Sequence, residues 1–134
     1  MSEFKNIDEA REFFYDDVFA RKSGVVIDEL SDYGSVCSMD ITDDHKNAAG
    51  AVMGGAIFTL ADFACAVAAN NIHKITVIQN VSINFLSSSR GSRLIARAEC
   101  KKDGKMSCVY NVNVTDDLGC DIAQYTATGF KLKK

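Results

Sequence analysis

The sequence predicts an α+β fold in which a curved antiparallel sheet wraps around one central apolar helix, with an extra helix at the N-terminus. Two observations support this fold class. Residues 53–70 are apolar on nearly every side of a helix, as is typical of a helix surrounded by protein. Residues 77–130 alternate apolar and polar side chains between turn signals such as Asp103-Gly104, which is the pattern of β-hairpins.

Length and charge limit the possible classes of function. A chain of 134 residues fits one domain, and we expect it to span residues 1–134, with a helix in residues 1–23 packed on it. The net charge of −3 and the pI near 5.3 argue against a nucleic-acid partner, because phosphate binding requires a basic stripe. Residues 1–14 are polar and acidic, unlike a signal or transit peptide, so we predict a cytoplasmic protein.

The N-terminal helix is predicted from a start signal and an apolar face. Asn6 followed by Glu9 resembles a capping box. The apolar side chains that follow at helical spacing are Ile7, Ala10, Phe14 and Val18. Ser23-Gly24 is expected to end this helix.

Strand patterns on either side of the central helix predict the sheet. Residues 25–30 and 35–41 flank the turn signal Ser31-Asp32-Tyr33-Gly34, which predicts a hairpin. After the helix, one predicted strand face comprises Val77, Gln79, Val81, Ile83 and Phe85. The next strand presents Leu94, Ala96, Ala98 and Cys100 on one face. Two more strands are expected at residues 106–115 and 120–130.

The central helix carries one acid, Asp62, among apolar neighbours. A membrane span is a weaker interpretation of this helix, because the run contains Asp62 and barely reaches the roughly 20 residues that a span requires. A carboxylate in apolar surroundings is costly unless it is paired or its pKa is raised, and both conditions are typical of a catalytic acid or base. The alternative is an acid that reaches a sheet edge or a dimer interface.

The start of this helix, Met53-Gly54-Gly55, contains no Ser, Thr, Asp or Asn to cap it. The free N–H groups and the positive end of the helix dipole can hold a carbonyl oxygen that becomes an oxyanion. Glycine lets a substrate approach the backbone without meeting a Cβ. The alternative is that Gly itself serves as the N-cap and that water satisfies the donors.

The cysteines and histidines show no spacing typical of a metal site, so we expect no metal. Buried thiols in a reducing compartment explain the five cysteines best. Cys65 and Cys108 are weaker candidates for a nucleophile. His45 and His73 lie in polar segments, and we expect both to be exposed to solvent.

Residues 47–55, NAAGAVMGG, followed by Leu60-Ala61-Asp62, resemble the N-x-x-G-x-x-H-G-G…L-A-D pattern of the PaaI-like hotdog acyl-CoA thioesterases. Residues 82–86, SINFL, 102–105, KDGK, and 115–119, TDDLG, match this family in order and spacing. The resemblance covers roughly residues 25–130 and implies the hotdog fold.

The resemblance also implies site residues and an assembly. Asp62 would act as nucleophile or general base on an acyl-CoA, opposite the Gly54 N–H of a neighbouring subunit. Asn47 would help to hold the water or the thioester carbonyl, although Asn also commonly starts a turn. Met53 and Gly55 would border the substrate, in a homodimer or a homotetramer with sites at the subunit interface.

The chain departs from the family pattern at three places. Met53 stands where many members have His, and a thioether lacks the hydrogen bonding of an imidazole. Ile78 stands where many have Ser or Thr; Gln79 or Thr76 could substitute if the strand register allows it. A serine-rich loop, residues 87–91, replaces the usual Arg-Pro.

Three basic residues are candidates for contacts with the CoA phosphates: Arg90, Lys102 and Lys105. Ordinary surface charge is the favoured interpretation of each of them.

The predicted activity is hydrolysis of an acyl-CoA thioester to a free acid and CoA, without a metal or redox cofactor. One alternative is a non-catalytic module that binds acyl-CoA, although the short N-terminal helix is too small to be an output domain. Another is a hotdog dehydratase or hydratase, which normally needs a His beside its acid, and no His lies in the central helix or at its entry.

Overall fold

The computed structural model describes residues 2–133, so the two ends of the predicted 1–134 domain lie outside the described residues. The helices are α1 (Ile7–Phe14), α2 (Val18–Lys22) and α3 (Gly54–Ile72), with a short 3-10 turn at Asp43–His45. The strands are β1 (Val26–Ser31), β2 (Gly34–Asp40), β3 (Thr76–Phe85), β4 (Arg93–Asp103), β5 (Ser107–Asp116) and β6 (Asp121–Lys131).

The six strands form one antiparallel sheet in the order β1-β2-β4-β5-β6-β3. Strands β1 and β3 are its two edges. Helix α3 packs against β2, β4 and β5 in the middle of the sheet. This arrangement confirms the predicted fold class, with one central helix covered by a sheet of hairpins.

Helix α3 is surrounded by protein because small side chains let the sheet approach it. Ala61, Ala64, Cys65 and Ala68 are all buried, and the Ser35 hydroxyl donates a hydrogen bond to the Ala64 carbonyl at 2.7 Å. By length and composition α3 is long and apolar enough to cross a membrane, but 61% of its most apolar window is buried inside the fold. That burial is typical of a core helix.

The helical segment at the N-terminus is divided into two helices, which differs from the single helix expected over residues 1–23. Asn6 caps α1 as predicted, since its Oδ1 accepts a hydrogen bond from the Glu9 N–H at 2.9 Å. Helix α1 buries Ala10 and Phe14 and ends there. Val18, expected on the same face, instead begins α2 and is exposed.

A β-bulge in β3 changes which side chains face α3. Ile78 pairs with Gly129 and Asn80 pairs with Thr128, so Gln79 is an extra residue without a partner in β6. Because each extra residue reverses the alternation, Ile78 packs on the core before the bulge, and Val81 and Ile83 do so after it. The predicted face that joined Val77 and Gln79 to Val81 is therefore wrong, and Gln79 is exposed.

The expectation that His45 is exposed is also wrong. Its side chain is 7% exposed, its Nδ1 accepts from the Thr42 N–H at 3.0 Å, and its Nε2 donates to the Ser23 carbonyl at 2.7 Å. The His45 carbonyl accepts from the Met53 N–H at 2.8 Å. His45 therefore joins the end of α2 to the residue that precedes α3.

Candidate active site

The start of α3 presents backbone donors without partners. Met53 is the N-cap residue with φ −64° and ψ 139°, and its side chain caps no N–H group. Its carbonyl accepts from the N–H groups of Ala56 and Ile57. Within residues 2–133, the N–H groups of Gly54 and Gly55 have no acceptor. These two donors lie at the positive end of a 19-residue helix, where a developing negative charge is stabilised.

The Phe85 ring lies against Gly54. A Cβ added at Gly54 would be 3.1 Å from Phe85 Cζ, whereas one added at Gly55 would meet only the Met53 side chain, at 3.8 Å. Phe85 is the last residue of β3 and is 52% exposed. The start of α3 is therefore bordered by the end of an edge strand and by the exposed Met53 side chain.

Asn47 shapes the loop that leads to α3. Its Oδ1 accepts from the N–H groups of Ala49 at 3.0 Å and Ala51 at 3.2 Å, and Gly50 has φ +84° in the same turn. The side-chain oxygen of Asn47 therefore has the turn-forming role that was the alternative interpretation of this residue. Its Nδ2 donates to no acceptor in the described part of the chain and is free to contact a substrate.

Asp62 is held by a buried tyrosine from β6. The Tyr125 hydroxyl donates to Asp62 Oδ1 at 2.6 Å. Burial raises the pKa of Tyr125, and the neighbouring Cys65 and Asp62 raise it further, so the hydroxyl stays protonated as a donor. Among residues 2–133 no group donates to Asp62 Oδ2, which leaves this oxygen available for chemistry.

On its other side Asp62 borders a cavity of about 330 Å³ between α2 and α3. Asp17, at the start of α2, lines the same cavity. The pKa of Asp17 is raised by burial first, and then by the negative charges of Asp62 and Asp16. Asp62 is therefore half-buried: it accepts a hydrogen bond from a tyrosine of the sheet and lines an open cavity.

Gly54 and Asp62 of one chain are too far apart to act on one carbonyl. They lie on the same helix eight residues apart, which corresponds to about 12 Å along its axis. Reacting groups must come within about 3–3.5 Å of the same atom. The structure therefore places the two candidate catalytic groups of one chain at two separate positions.

The predicted phosphate contacts are not brought together either. Arg90 lies in the loop between β3 and β4, just beyond Phe85 and hence at the end of the sheet where α3 starts. Lys102 and Lys105 lie at the other end of β4, roughly 30 Å away. All three side chains are exposed, so only Arg90 is near the start of α3 in its own chain.

In their own chain, Thr76 and Gln79 lie away from the start of α3, where the family's Ser or Thr is expected. Thr76 begins β3 at the far end, and its hydroxyl donates to the His73 carbonyl at 2.5 Å. Gln79 occupies the bulge. Neither side chain reaches the start of α3 within its own chain.

The two cysteines considered as nucleophiles are buried. Burial raises the pKa of Cys65 to about 12 and also raises that of Cys108. Because the thiolate is the reactive form, these environments disfavour nucleophilic catalysis by either thiol.

Asp116 organises the loops beside Arg90. Its carboxylate accepts from the N–H groups of Cys120 at 2.9 Å and Leu118 at 3.0 Å, and from the Ser89 hydroxyl at 3.0 Å. These hydrogen bonds, that of Cys120 foremost, lower the pKa of Asp116. The TDDLG segment therefore ties the β5–β6 turn to the loop that carries Arg90.

Sequence reasoning did not find Tyr125, Phe85 or Asp17 as site residues. The available signal for Tyr125 was its inward position on the last strand, since a buried tyrosine hydroxyl normally needs a partner. Nothing in the local pattern of Asp17 distinguished it from other acids of the N-terminal segment.

The sequence pattern of the thioesterase superfamily matches residues 49–119, more than half of the chain and including Gly54 and Asp62. This chain belongs to the thioesterase superfamily. It is 26% identical over 124 residues to the acyl-coenzyme A thioesterase PaaI of Escherichia coli K12, a match that covers 92% of this chain and 89% of that protein.

Solved structures agree with this assignment. The E. coli PaaI protein from the phenylacetic acid degradation operon superposes with a TM-score of 0.88 and 25% identity, over 92% of this chain and 91% of that one. A thioesterase-like protein from Streptococcus pneumoniae TIGR4, solved with coenzyme A, gives a TM-score of 0.83 and 25% identity, over 90% and 98%. The chain is thus a PaaI-like hotdog thioesterase, which confirms the predicted family, fold and enzyme class.

Proposed function

We propose that this thioesterase hydrolyses acyl-CoA to a free acid and CoA, with Asp62 as nucleophile or general base. The observation that carries the proposal is the state of Asp62: Tyr125 binds one carboxylate oxygen, and the acid borders an open cavity. The PaaI relative from E. coli is an acyl-CoA thioesterase, which supports CoA as the leaving group here.

The Gly54 N–H polarises the thioester carbonyl and stabilises the oxyanion that forms on it. In the general-base route, Asp62 removes a proton from water, the oxygen attacks the carbonyl carbon, and the C–S bond breaks as the CoA thiolate takes up the proton. In the nucleophilic route, Asp62 Oδ2 attacks the carbonyl carbon, the C–S bond breaks and CoA leaves as a thiolate; water then hydrolyses the mixed anhydride, which releases the free acid, restores the Asp62 carboxylate and supplies the proton that the CoA thiolate takes up. Both routes use water as the only co-substrate and need no metal or redox cofactor.

Because Gly54 and Asp62 of one chain are about 12 Å apart along the helix, we infer that each site combines Gly54 of one protomer with the partner subunit's Asp62. Strand β3 supports this arrangement, since it is a ten-residue edge strand whose outer backbone groups can pair with a second copy. Its last residue, Phe85, contacts Gly54. A dimer formed along β3 therefore reaches the start of α3, and a homotetramer can form from two such dimers.

The remaining predicted site residues differ in how strongly their positions support a contact with the substrate. Asn47 can donate from Nδ2 to the water or the carbonyl, and Met53 and Gly55 border the same space. Arg90 lies in the loop just beyond Phe85, which supports it as a contact for a CoA phosphate near the start of α3. Lys102 and Lys105 contribute only if CoA reaches the opposite end of β4 on a neighbouring chain, and Gln79 only if it faces a neighbouring chain across the β3 edge.

The second candidate function is a module that binds acyl-CoA without turnover. It is favoured by Met53, which stands where many family members have His. The backbone N–H groups of Gly54 and Gly55 do not depend on that side chain, so the catalytic proposal retains its main donor.

Thiol release from a panel of acyl-CoA thioesters tests the proposal. We expect turnover by the wild-type protein and its loss in Asp62→Asn, which keeps the size of the side chain but removes the charge. Asp44→Asn, a change at an exposed loop acid, is the matched control and should retain activity. CoA binding without turnover in the wild-type protein would support the binding module instead.

A further inference from the structure

The cavity beside Asp62 has apolar walls and acidic edges. Helix α2 contributes Val18, Phe19 and Ala20, and α3 contributes Phe58, Phe63 and Ala66. Its volume of about 330 Å³ lies at the lower end of the roughly 300–1,000 Å³ that is usual for small-molecule sites. Such a space suits one small apolar group.

The polar groups of the cavity limit what that group can be. The Thr59 hydroxyl is occupied, because it donates to the Gly55 carbonyl at 2.8 Å. Among residues 2–133, the two remaining polar lining residues are Asp17 and Asp62, and no Lys, Arg or His lines the space. A ligand that carries a negative charge would meet two acids and no cation.

Asp17 is not committed to another role in the described part of the chain. It is the N-cap residue of α2, but its side chain makes no capping hydrogen bond. Its pKa is raised by burial and by the charge of Asp62. The two carboxyl groups therefore share one local environment.

We propose that the cavity between α2 and α3 binds the acyl group of the substrate, that it selects uncharged short or medium acyl groups, and that Asp17 disfavours acyl groups ending in a carboxylate. This inference rests on the proposed function. Because Asp62 lines the cavity, a thioester carbonyl within reach of this acid can direct its acyl substituent into the same space.

We expect Ala66 to limit the size of the acyl group that the cavity accepts, and Asp17 to disfavour acyl groups that carry a negative charge. Residues 17–20 lie outside the segment 49–119 that matches the superfamily pattern. The α2 wall is thus a feature of this chain beyond the shared pattern, and it can set acyl preference independently of the catalytic groups.

The charge limit is tested with butyryl-CoA and succinyl-CoA, which have four-carbon acyl groups that differ in terminal charge. We expect the wild-type protein to prefer butyryl-CoA in kcat/KM, and Asp17→Asn to reduce this preference by about threefold or more. Asp16→Asn removes a neighbouring charge that does not line the cavity and should leave the preference near its wild-type value. An unchanged preference in Asp17→Asn would overturn the role of Asp17.

The size limit is tested by Ala66→Leu, which places a larger side chain in the cavity. We expect kcat/KM for hexanoyl-CoA to fall by about tenfold relative to that for acetyl-CoA, and a thermal melt verifies folding. Equal losses for both substrates would contradict an acyl site here. Wild-type turnover of any acyl-CoA separates the two proposals: its absence removes the proposed function, whereas turnover with unaltered selectivity in both variants removes only this inference.

Discussion

The Tyr125 hydroxyl donates a hydrogen bond of 2.6 Å to Asp62 Oδ1. Tyr125 is fully buried on β6, and Asp62 lies on α3 across the core. The bond fixes the acid from the sheet side, and among the described residues no group donates to its Oδ2. The sheet therefore both covers the helix and orients its one carboxylate.

Replacing Tyr125 by Phe removes this hydrogen bond with little change in volume. We expect kcat to fall by about tenfold with a smaller effect on KM, because a hydrogen bond to a charged group is worth about 1.5–3 kcal/mol and the acid loses its orientation. Steady-state kinetics measure the effects on kcat and KM separately. Tyr110→Phe is the matched control, since Tyr110 is equally buried but its hydroxyl contacts Cys100. Equal effects in the two variants would count against a specific role for Tyr125.

The backbone donor of Gly54 can be deleted by Gly54→Pro. Proline is tolerated at the first position of a helix, and the preceding Met53 already has ψ 139°, as a residue before proline requires. Gly54→Ala is the control: both variants add a Cβ near Phe85, but only Pro lacks the N–H. We expect kcat of the Gly54→Pro variant to be about 100-fold lower than that of the Gly54→Ala variant. Similar rates in the two folded variants would show that this N–H is not the oxyanion donor.

Asp116 predicts a dependence of stability on pH. Hydrogen bonds from Cys120, Ser89 and Leu118 lower its pKa in the folded protein. The ionised carboxylate therefore stabilises the fold at pH values above its unfolded-state pKa of roughly 3.9, and this contribution disappears as pH falls through the folded-state value. Asp116→Asn should have a lower melting temperature than the wild type near pH 7, and the difference should narrow below about pH 4. A constant difference from neutral to acidic pH would refute this assignment.

Truncation of the His45 side chain is expected to destabilise the fold. His45→Ala leaves the Thr42 N–H and the Ser23 carbonyl without their partner, and we expect the free energy of unfolding to fall by about 1–3 kcal/mol. Urea denaturation measures the change. His73→Ala is the comparison, because the His73 side chain makes one exposed hydrogen bond, to the Leu132 carbonyl, and its loss should cost less. A smaller loss in His45→Ala than in His73→Ala would contradict the account.

The sequence was sufficient for features that depend on local patterns. The all-round apolarity of residues 53–70 predicted α3, and the alternation from Leu94 to Cys100 predicted the buried face of β4. The absence of a cap at Met53 was also readable from residue type.

Features that depend on contacts between distant segments were not predictable in this way. The bulge at Gln79 arises from the register with β6, and alternation within β3 alone cannot reveal it. His45 is buried because Ser23, 22 residues earlier, accepts its hydrogen bond. Tyr125 and Asp62 are 63 residues apart, so only the folded sheet shows that they meet.

The central claim is that one active site takes Gly54 from one protomer and Asp62 from another. Subunit complementation tests it most directly: Asp62→Asn and Gly54→Pro are purified separately, mixed, and allowed to exchange subunits before thiol release is measured. Each mixed dimer then contains one site with both groups intact. Random exchange makes half of the dimers mixed, so recovery of about a quarter of wild-type activity is predicted. Activity that stays at the average of the two separate variants, despite verified exchange, would contradict the claim.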